Sequence, residues 1–177
     1  MQEITLLAIS GSLKSTSSNS AILKALSGLA PDGIKITITD LHGQLPLFNP
    51  DREEGDEMVK EFRKQVASCN GVVICTPEYA FGLPGALKNA LDWLVSSGEL
   101  NEKPVAAISA SPLNSGGEHA LNSLTLTLKA LGTKSNPSIT FKIPNVYKKM
   151  SGGKITDELT REQLRLLMEK LADQIRN

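Results

Sequence analysis

The chain has 177 residues, of which 40% are hydrophobic and 21% charged, a composition typical of one globular domain with a full core. Its 19 basic and 19 acidic residues cancel to a formal charge of zero, so no general field attracts nucleic acid or an anionic membrane. No apolar stretch reaches about 18 residues and no signal-like segment opens the sequence, so we expect a cytoplasmic protein that does not span a membrane.

Two hydrophobic periods alternate along the chain. Continuous apolar runs predict buried strands, and apolar residues three or four positions apart predict helices. The predicted strands cover 4–9, 34–41, 71–76, 104–110 and 138–143. The predicted helices cover 19–30, 56–68, a segment through Leu87, Leu91 and Leu94, 118–131 and 160–176, and residues 42–55 are predicted to be a loop. The last helix is predicted to open with a capping box formed by Thr160 and Gln163.

This alternation predicts an α/β fold. We expect a flavodoxin-like three-layer α/β/α sandwich, with a five-stranded parallel sheet in the order 2-1-3-4-5, formed by residues 1–177 as a single domain. Ligands of such sheets bind outside the carboxyl ends of the strands, near the point where the strand order reverses. The loops 10–19, 77–84 and 111–117 follow the first, third and fourth strands, so we expect them to line one site.

The first of these loops favours a phosphate ligand. The stretch ISGSLKSTSSNSAI, residues 9–22, carries seven hydroxyl side chains and one lysine but no acidic residue. Backbone N–H groups at a helix start, the hydroxyls of Ser12, Ser17 and Ser18, and the charge of Lys14 would all attract an anion. Simple capping and solvation by the serines is the alternative. Neither G-x-x-x-x-G-K-[ST] nor G-x-G-x-x-G follows the first strand, so neither of those phosphate sites is present.

The second loop has a planar and apolar character. It begins the stretch TPEYAFGLPGALKNALDWL, residues 76–94, in which Tyr79 and Phe81 offer aromatic faces to a flat heterocycle. Packing of both rings in the core or at an interface is the alternative. Glu78 alone is weak evidence for acid–base chemistry, since most single loop carboxylates are solvated. We expect Trp93 to pack in the core or between subunits.

The cysteines and histidines do not suggest a metal or nucleophile site. Cys69 and Cys75 belong to no metal-ligand spacing, and we expect them to be buried and reduced. We expect His119 at a helix start on the surface and His42 in a loop.

Three motifs together resemble the NADPH-dependent FMN reductase family, which includes soluble quinone, azo and chromate reductases. They are G-S-L-K-x-x-S-x-N at 11–19, T-P-E-Y at 76–79 and L-P-G-x-L-K-N-A-L-D-W at 83–93. The resemblance implies noncovalent FMN, with its phosphate among Ser12, Lys14, Ser17, Ser18 and Asn19, its ring along Pro77, Glu78, Tyr79 and Ala80, and Ser111 closing the site.

The same resemblance implies the reaction. NADPH or NADH would reduce the bound flavin by hydride transfer, and a quinone, azo, chromate or flavin acceptor would then take the electrons in a ping-pong cycle. No catalytic side chain and no metal are expected. The family commonly forms homodimers or homotetramers, so small-molecule acceptors and a second copy of the chain are the expected partners.

Three positions depart from the family's pattern. Lys14 stands where an arginine is usual, Ala80 stands where an asparagine is common, and Glu118-His119 follow the two glycines where an arginine is often found. A lysine offers a point charge rather than a bidentate fork, so we expect weaker phosphate binding.

Three alternatives are open at this stage. An FMN electron carrier that does not oxidise NAD(P)H would share the fold, but its surface is expected to be strongly acidic. A serine hydrolase with Ser12 as the nucleophile is the second alternative, but this sequence has no G-x-S-x-G motif and no histidine after the last strand. A relative without flavin would act only through protein contacts.

Overall fold

A parallel five-stranded sheet forms the centre of the computed structural model, which describes residues 3–52 and 56–177. Its strands are Ile4–Ser10 (β1), Ile34–Thr39 (β2), Gly71–Thr76 (β3), Val105–Ala110 (β4) and Thr140–Ile143 (β5). The helices are Ser18–Leu26 (α1), Glu57–Ser68 (α2), Gly85–Asp92 (α3), Glu118–Ala130 (α4) and Glu158–Arg176 (α5). The sheet order is β2-β1-β3-β4-β5, so the predicted fold class and strand order are confirmed.

Helices cover both faces of the sheet. One apolar cluster packs α1 and α5 against one face, and the other packs α2, α3 and α4 against the opposite face. Every residue of β3 and β4 is buried, as expected for central strands covered on both sides. The continuous apolar runs in the sequence follow directly from this double burial.

The register of the strands brings their carboxyl ends to one edge. Ser10, the last residue of β1, pairs with Cys75 of β3, and Thr76 pairs with Ser109 of β4. Because β1 lies between β2 and β3, the strand order reverses beside β1 and opens a crevice at this edge. The loops after β1, β3 and β4 therefore start close together.

The predicted start of the last helix is wrong. Helix α5 begins at Glu158, and its N-cap is Asp157, whose carboxylate accepts hydrogen bonds from the backbone N–H of Thr160 at 2.9 Å and from its hydroxyl at 2.6 Å. Thr160 is therefore a buried residue of the first turn rather than the cap. The stronger acceptor three residues upstream determines where the helix starts.

Several other boundaries differ from the predictions. Strand β2 ends at Thr39, before a 3₁₀ turn over Leu41–Gly43, and α1 ends at Leu26, after which the chain continues with turn-type hydrogen bonds. Helix α3 has only eight residues. The predicted loop over 42–55 holds this turn and a second one over Pro50–Arg52, and residues 53–55 lie outside the described part.

A short antiparallel hairpin was not predicted. Its strands, Met150–Ser151 (β6) and Lys154–Ile155 (β7), have two residues each, too few to give a hydrophobic period. Gly152 and Gly153 form the turn with φ angles of 54° and 74°, which favour glycine.

The remaining sequence predictions have mixed outcomes. Trp93 is buried in the core, and its indole N–H donates to the carbonyl of Pro46 at 2.8 Å. Cys69 and Cys75 are both free thiols, but only Cys75 is buried and Cys69 is half-buried. His119 is exposed at the start of α4 as expected. His42 lies in the turn after β2 and is buried, which lowers the pKa of its imidazole.

Candidate functional site

The three loops predicted to form a site meet at the carboxyl edge of the sheet. They surround a cavity of about 240 Å³. The predicted residues that line it are Ser12, Lys14, Ser17, Ser18, Asn19, Pro77, Glu78, Tyr79 and Ser111. Ala80 does not line the cavity, and its side chain is exposed.

The first loop packs tightly against the end of β3. A Cβ atom on Gly11 would lie 2.4 Å from the hydroxyl oxygen of Thr76, which is too close for any side chain. The backbone N–H of Gly11 donates to the carbonyl of Cys75 at 2.8 Å. Glycine at this position lets the loop leave β1 along the neighbouring strand and turn toward the cavity.

Short-range hydrogen bonds shape the rest of the first loop. Ser17 caps α1, because its hydroxyl oxygen accepts from the backbone N–H of Asn19 at 3.2 Å. The hydroxyl oxygen of Ser12 accepts from the N–H of Lys14 at 3.3 Å, and both serines are buried. Ser17 therefore caps the helix and Ser12 stabilises the loop, but the hydroxyl O–H of each serine can still donate to a ligand.

The first loop also carries unused backbone donors. Within residues 3–52 and 56–177, the N–H groups of Ser15, Thr16 and Ser18 donate to no protein acceptor. They lie at the N-terminus of α1, where the helix dipole favours negative charge, and α1 has no acidic residue in its first turn. With Lys14 beside them, these groups form an electropositive cradle.

Asn19 fixes the start of α1 onto the sheet. Its buried side-chain oxygen accepts a hydrogen bond from the thiol of Cys75, with the sulfur 3.2 Å away. Burial raises the pKa of this thiol, so it stays protonated and can act as the donor. This contact sets the position of the helix whose first turn faces the cavity.

The second loop contains a tight hairpin turn. Tyr79 and Gly82 exchange backbone hydrogen bonds at 3.1 and 2.9 Å, and the two residues between them, Ala80 and Phe81, have φ angles of 47° and 61°. Two successive positive φ angles are typical of a type I′ turn, in which asparagine and glycine are favoured. The turn leaves Tyr79 and Phe81 exposed, and the Phe81 ring meets the His119 ring edge-to-face at 5.2 Å.

Glu78 connects the second loop to the third. Helix α4 follows Gly117, which has no side chain to cap it. The Glu78 carboxylate takes this role, since it accepts a hydrogen bond from the backbone N–H of Ala120 at 3.1 Å. The predicted solvated carboxylate is therefore a structural contact between two loops of the site.

Two hydrogen bonds fix the third loop, which follows β4. The buried hydroxyl of Ser109 donates to the carbonyl of Gly116 at 2.8 Å. Ser111 begins the loop, and its hydroxyl oxygen accepts from the N–H of Leu113 at 3.2 Å. Both contacts fix the loop in a position that closes one side of the cavity.

Sequence reasoning missed a fourth segment of the site. Val146 and Tyr147, which follow β5, also line the cavity, together with Thr16, Ala110 and Pro112. The fifth strand ends at the same edge as the others, so the loop after it was the signal that would have indicated Tyr147.

Two kinds of feature are absent from the part of the chain that the structure describes. Residues 3–52 and 56–177 contain no group of three or more histidine, cysteine or acidic side chains placed to hold a metal ion. None of their helices combines the length and apolar character that a membrane span requires.

Comparisons with known proteins identify relatives over the whole chain. An NAD(P)H-dependent FMN reductase from Pseudomonas aeruginosa is 33% identical over 174 residues, which cover 96% of this chain and 94% of that protein. A 2-hydroxy-1,4-benzoquinone reductase from a Burkholderia species is 32% identical over 177 residues, covering 94% and 93% of the two chains. The solved structure of a flavoenzyme NAD(P)H:(acceptor) oxidoreductase from Paracoccus denitrificans superimposes with a TM-score of 0.82 and 28% identity, covering 98% and 97%.

The family match includes all three motifs. The NADPH-dependent FMN reductase family matches residues 4–148, a range that holds the five strands and every loop of the site. The resemblance drawn from residues 11–19, 76–79 and 83–93 is thereby confirmed, as is the expectation of an enzyme that pairs FMN with NAD(P)H. The chain belongs to the NADPH-dependent FMN reductase family of oxidoreductases.

Proposed function

We propose that the chain binds FMN in the cavity at the carboxyl edge of the sheet and transfers electrons from NAD(P)H to small oxidants by a ping-pong cycle. Quinones are the favoured acceptors, because quinone reductases from Burkholderia and Pseudomonas putida are among the relatives that match almost the whole chain. Azo compounds, chromate and free flavin are the other predicted acceptors. The observation that carries the proposal is the electropositive first loop beside an aromatic second loop.

The residues of the first loop fit a flavin phosphate. A phosphate monoester needs several hydrogen-bond donors and positive charge, and the loop supplies the free N–H groups of Ser15, Thr16 and Ser18. The hydroxyls of Ser12 and Ser17 lie in the same cavity wall. Lys14 adds a full charge from the rim, and no acidic residue of this loop opposes it.

The residues of the second and third loops fit the ring system. Pro77 and Tyr79 give the cavity an apolar and aromatic wall, and Ser111 lies on the opposite loop. The N–H of Tyr79 is used within the hairpin, whereas in the described chain those of Glu78 and Ala80 have no protein acceptor. The N–H of Glu78, which lines the cavity, is available to a polar ring edge, whereas Ala80 lies outside the cavity lining.

When bound, FMN supplies the hydride acceptor and electron carrier of the reaction. The chain's own residues bind and orient it. Backbone N–H groups directed at a ring edge would stabilise negative charge there without giving up a proton, which is electrostatic preorganisation. The Glu78 carboxylate is engaged with the start of α4, so the proposal assigns it no role in proton transfer.

An electron carrier without NAD(P)H oxidation is the weaker candidate. Its redox partners would dock through complementary charge, but the formal net charge here is zero.

The proposal includes a homodimer or homotetramer located in the cytoplasm. Exposed apolar side chains such as Leu126 and Val95 suit an interface, and two free thiols suit a reducing compartment.

Steady-state kinetics test the proposed cycle. Initial rates measured with varied NADPH at several fixed concentrations of 1,4-benzoquinone should give parallel double-reciprocal lines, because the two substrates occupy the same face in turn. Intersecting lines would show that both substrates bind together and would contradict the cycle. Absence of NADPH oxidation with FMN-loaded protein would contradict the proposed function itself.

A further inference from the structure

A second cavity lies beside the proposed flavin site. It has a volume of about 500 Å³ and is lined by residues of α1, of the loop before it and of the β6–β7 hairpin. Thr16, Ser17, Ser18 and Tyr147 line both this cavity and the proposed flavin cavity, so the two lie side by side. Tyr147, which lines both cavities, is exposed.

A third cavity extends the second along α1. It has a volume of about 360 Å³ and shares Ala21, Lys24 and Gly153 with the second cavity. Together the second and third cavities form a groove between α1 and the hairpin, which we call the α1 groove. It starts at the first loop of the site and runs toward Arg161 of α5.

The α1 groove carries positive charge only. Lys24, Lys154 and Arg161 line it, and none of its lining residues is acidic. Arg161 has a neighbouring carboxylate, that of Glu158, at 3.7 Å. The ammonium groups of Lys24 and Lys154 are exposed and form no ion pair with any described residue. Since the whole chain has a formal charge of zero, this bias is local to the groove.

The groove also offers hydroxyl donors and an apolar wall. Ser15, Thr16 and Ser151 lie along its first half, while Met150 and Ile155 add apolar surface. Hydroxyls and lysines bind phosphate, and an apolar wall suits a flat heterocyclic base. These features fit a phosphorylated nucleoside.

The electron donor of this family is a molecule of that class. Its two nucleotides are joined by a pyrophosphate, so the adenosine end can lie in a neighbouring cavity while the nicotinamide reaches the flavin site. NADPH carries one more phosphate than NADH, on the 2′ position of the adenosine ribose. In this chain Glu118 and His119 follow the two glycines of the third loop, so that position supplies no arginine to the 2′-phosphate.

We propose that the α1 groove binds the phosphorylated adenosine end of the donor, with Lys24 and Lys154 contacting the 2′-phosphate of NADPH. The inference rests on the proposed function, because it takes NADPH as the donor. It predicts that the enzyme prefers NADPH over NADH, and that this preference depends on the two lysines.

Binding of the isolated adenosine end tests the groove directly. Isothermal titration of the FMN-loaded protein with 2′,5′-ADP and with 5′-AMP compares ligands with and without the 2′-phosphate. Wild type should bind 2′,5′-ADP about tenfold more tightly, and Lys24→Gln/Lys154→Gln should remove this difference. The double variant Lys35→Gln/Lys64→Gln is the control, since both lysines are exposed and lie outside the groove.

Kinetics of the same variants give a second readout. We expect the groove variant to raise KM for NADPH about tenfold, with kcat, KM for NADH and FMN affinity unchanged. Unaltered 2′,5′-ADP binding in this variant, no binding to wild type, or an equal loss of FMN affinity would overturn the proposal. The single variants serve as the test if the double variant does not fold. Failure of wild type to oxidise NADPH would instead contradict the proposed function.

Discussion

The carboxylate of Glu78 accepts a hydrogen bond from the backbone N–H of Ala120 at 3.1 Å, which ties the second loop of the site to the first turn of α4. Because Gly117 offers no side chain at the N-cap, this contact replaces the local cap with one from 42 residues upstream. The two loops that flank the proposed flavin ring are therefore fixed relative to each other.

Removal of the Glu78 carboxylate should lower both the stability of the fold and the affinity for FMN. We expect Glu78→Ala to lower the free energy of unfolding by about 1 kcal/mol, the usual cost of a lost N-cap, and to reduce FMN affinity. Glu78→Gln keeps an acceptor oxygen, so its free energy of unfolding and FMN affinity should lie between those of Glu78→Ala and wild type. Urea unfolding and FMN titration measure the two effects.

The control for this prediction is Glu61→Ala, which removes an exposed carboxylate on α2. It should leave both quantities close to wild type. Equal stability and FMN affinity for Glu78→Ala and wild type would show that the contact does not hold the loops.

Gly11 should not tolerate a side chain. A Cβ atom there would lie 2.4 Å from the Thr76 hydroxyl oxygen and 2.9 Å from the Thr76 backbone, so a rotamer change cannot relieve the clash. We expect Gly11→Ala to cost about 1–3 kcal/mol of stability and to weaken FMN binding by displacing the first loop. Gly28→Ala, whose Cβ would have its nearest neighbour at 3.7 Å, is the matched control. Identical unfolding curves for the two variants would refute this account of the loop.

The hairpin turn at Ala80 should be open to stabilisation. Ala80 has a φ of 47°, a conformation that alanine rarely adopts and that asparagine tolerates. We expect Ala80→Asn to raise the free energy of unfolding by roughly 0.5–1 kcal/mol. Ala130→Asn places the same side chain on an exposed helical residue and should lower it. A loss of stability in Ala80→Asn would mean that the turn carries no such strain.

Asp157 should make stability depend on pH. Hydrogen bonds from the Thr160 hydroxyl and N–H lower the pKa of its carboxyl below 3.8, so the stabilisation is present above that ordinary value and is lost as pH falls through the lowered one. We expect Asp157→Ala to lower the melting temperature at pH 7, with the gap to wild type shrinking in acid. A gap that stays constant between pH 7 and pH 3 would contradict this prediction.

The parts of the fold that were predictable have strong local signals. The runs at Gly71–Thr76 and Val105–Ala110 are buried on both faces, so their position in the sheet follows from composition alone. The first and second loops were predictable because a parallel sheet brings its carboxyl ends to one edge.

The features that sequence analysis missed depend on competition between N-cap residues or on contacts between residues far apart in the chain. Thr160 and Gln163 fit a capping box, but Asp157 lies three residues earlier and is a stronger N-cap than threonine, so the helix begins after Asp157. The partner of Glu78 is a backbone N–H at Ala120, which leaves no mark in the sequence. Tyr147 reaches the cavity only through the short β5, and the two-residue strands of the hairpin carry no period.

The most direct test of the proposed function is an absorbance spectrum of the protein after incubation with FMN and desalting, followed by anaerobic addition of NADPH. The account predicts that wild type retains a flavin band that NADPH bleaches, and that Lys14→Glu retains much less flavin because a negative charge then faces the phosphate. A wild-type protein that keeps no flavin, or a band that NADPH leaves unchanged, would contradict the central claim that this cavity holds FMN for reduction by the nicotinamide donor.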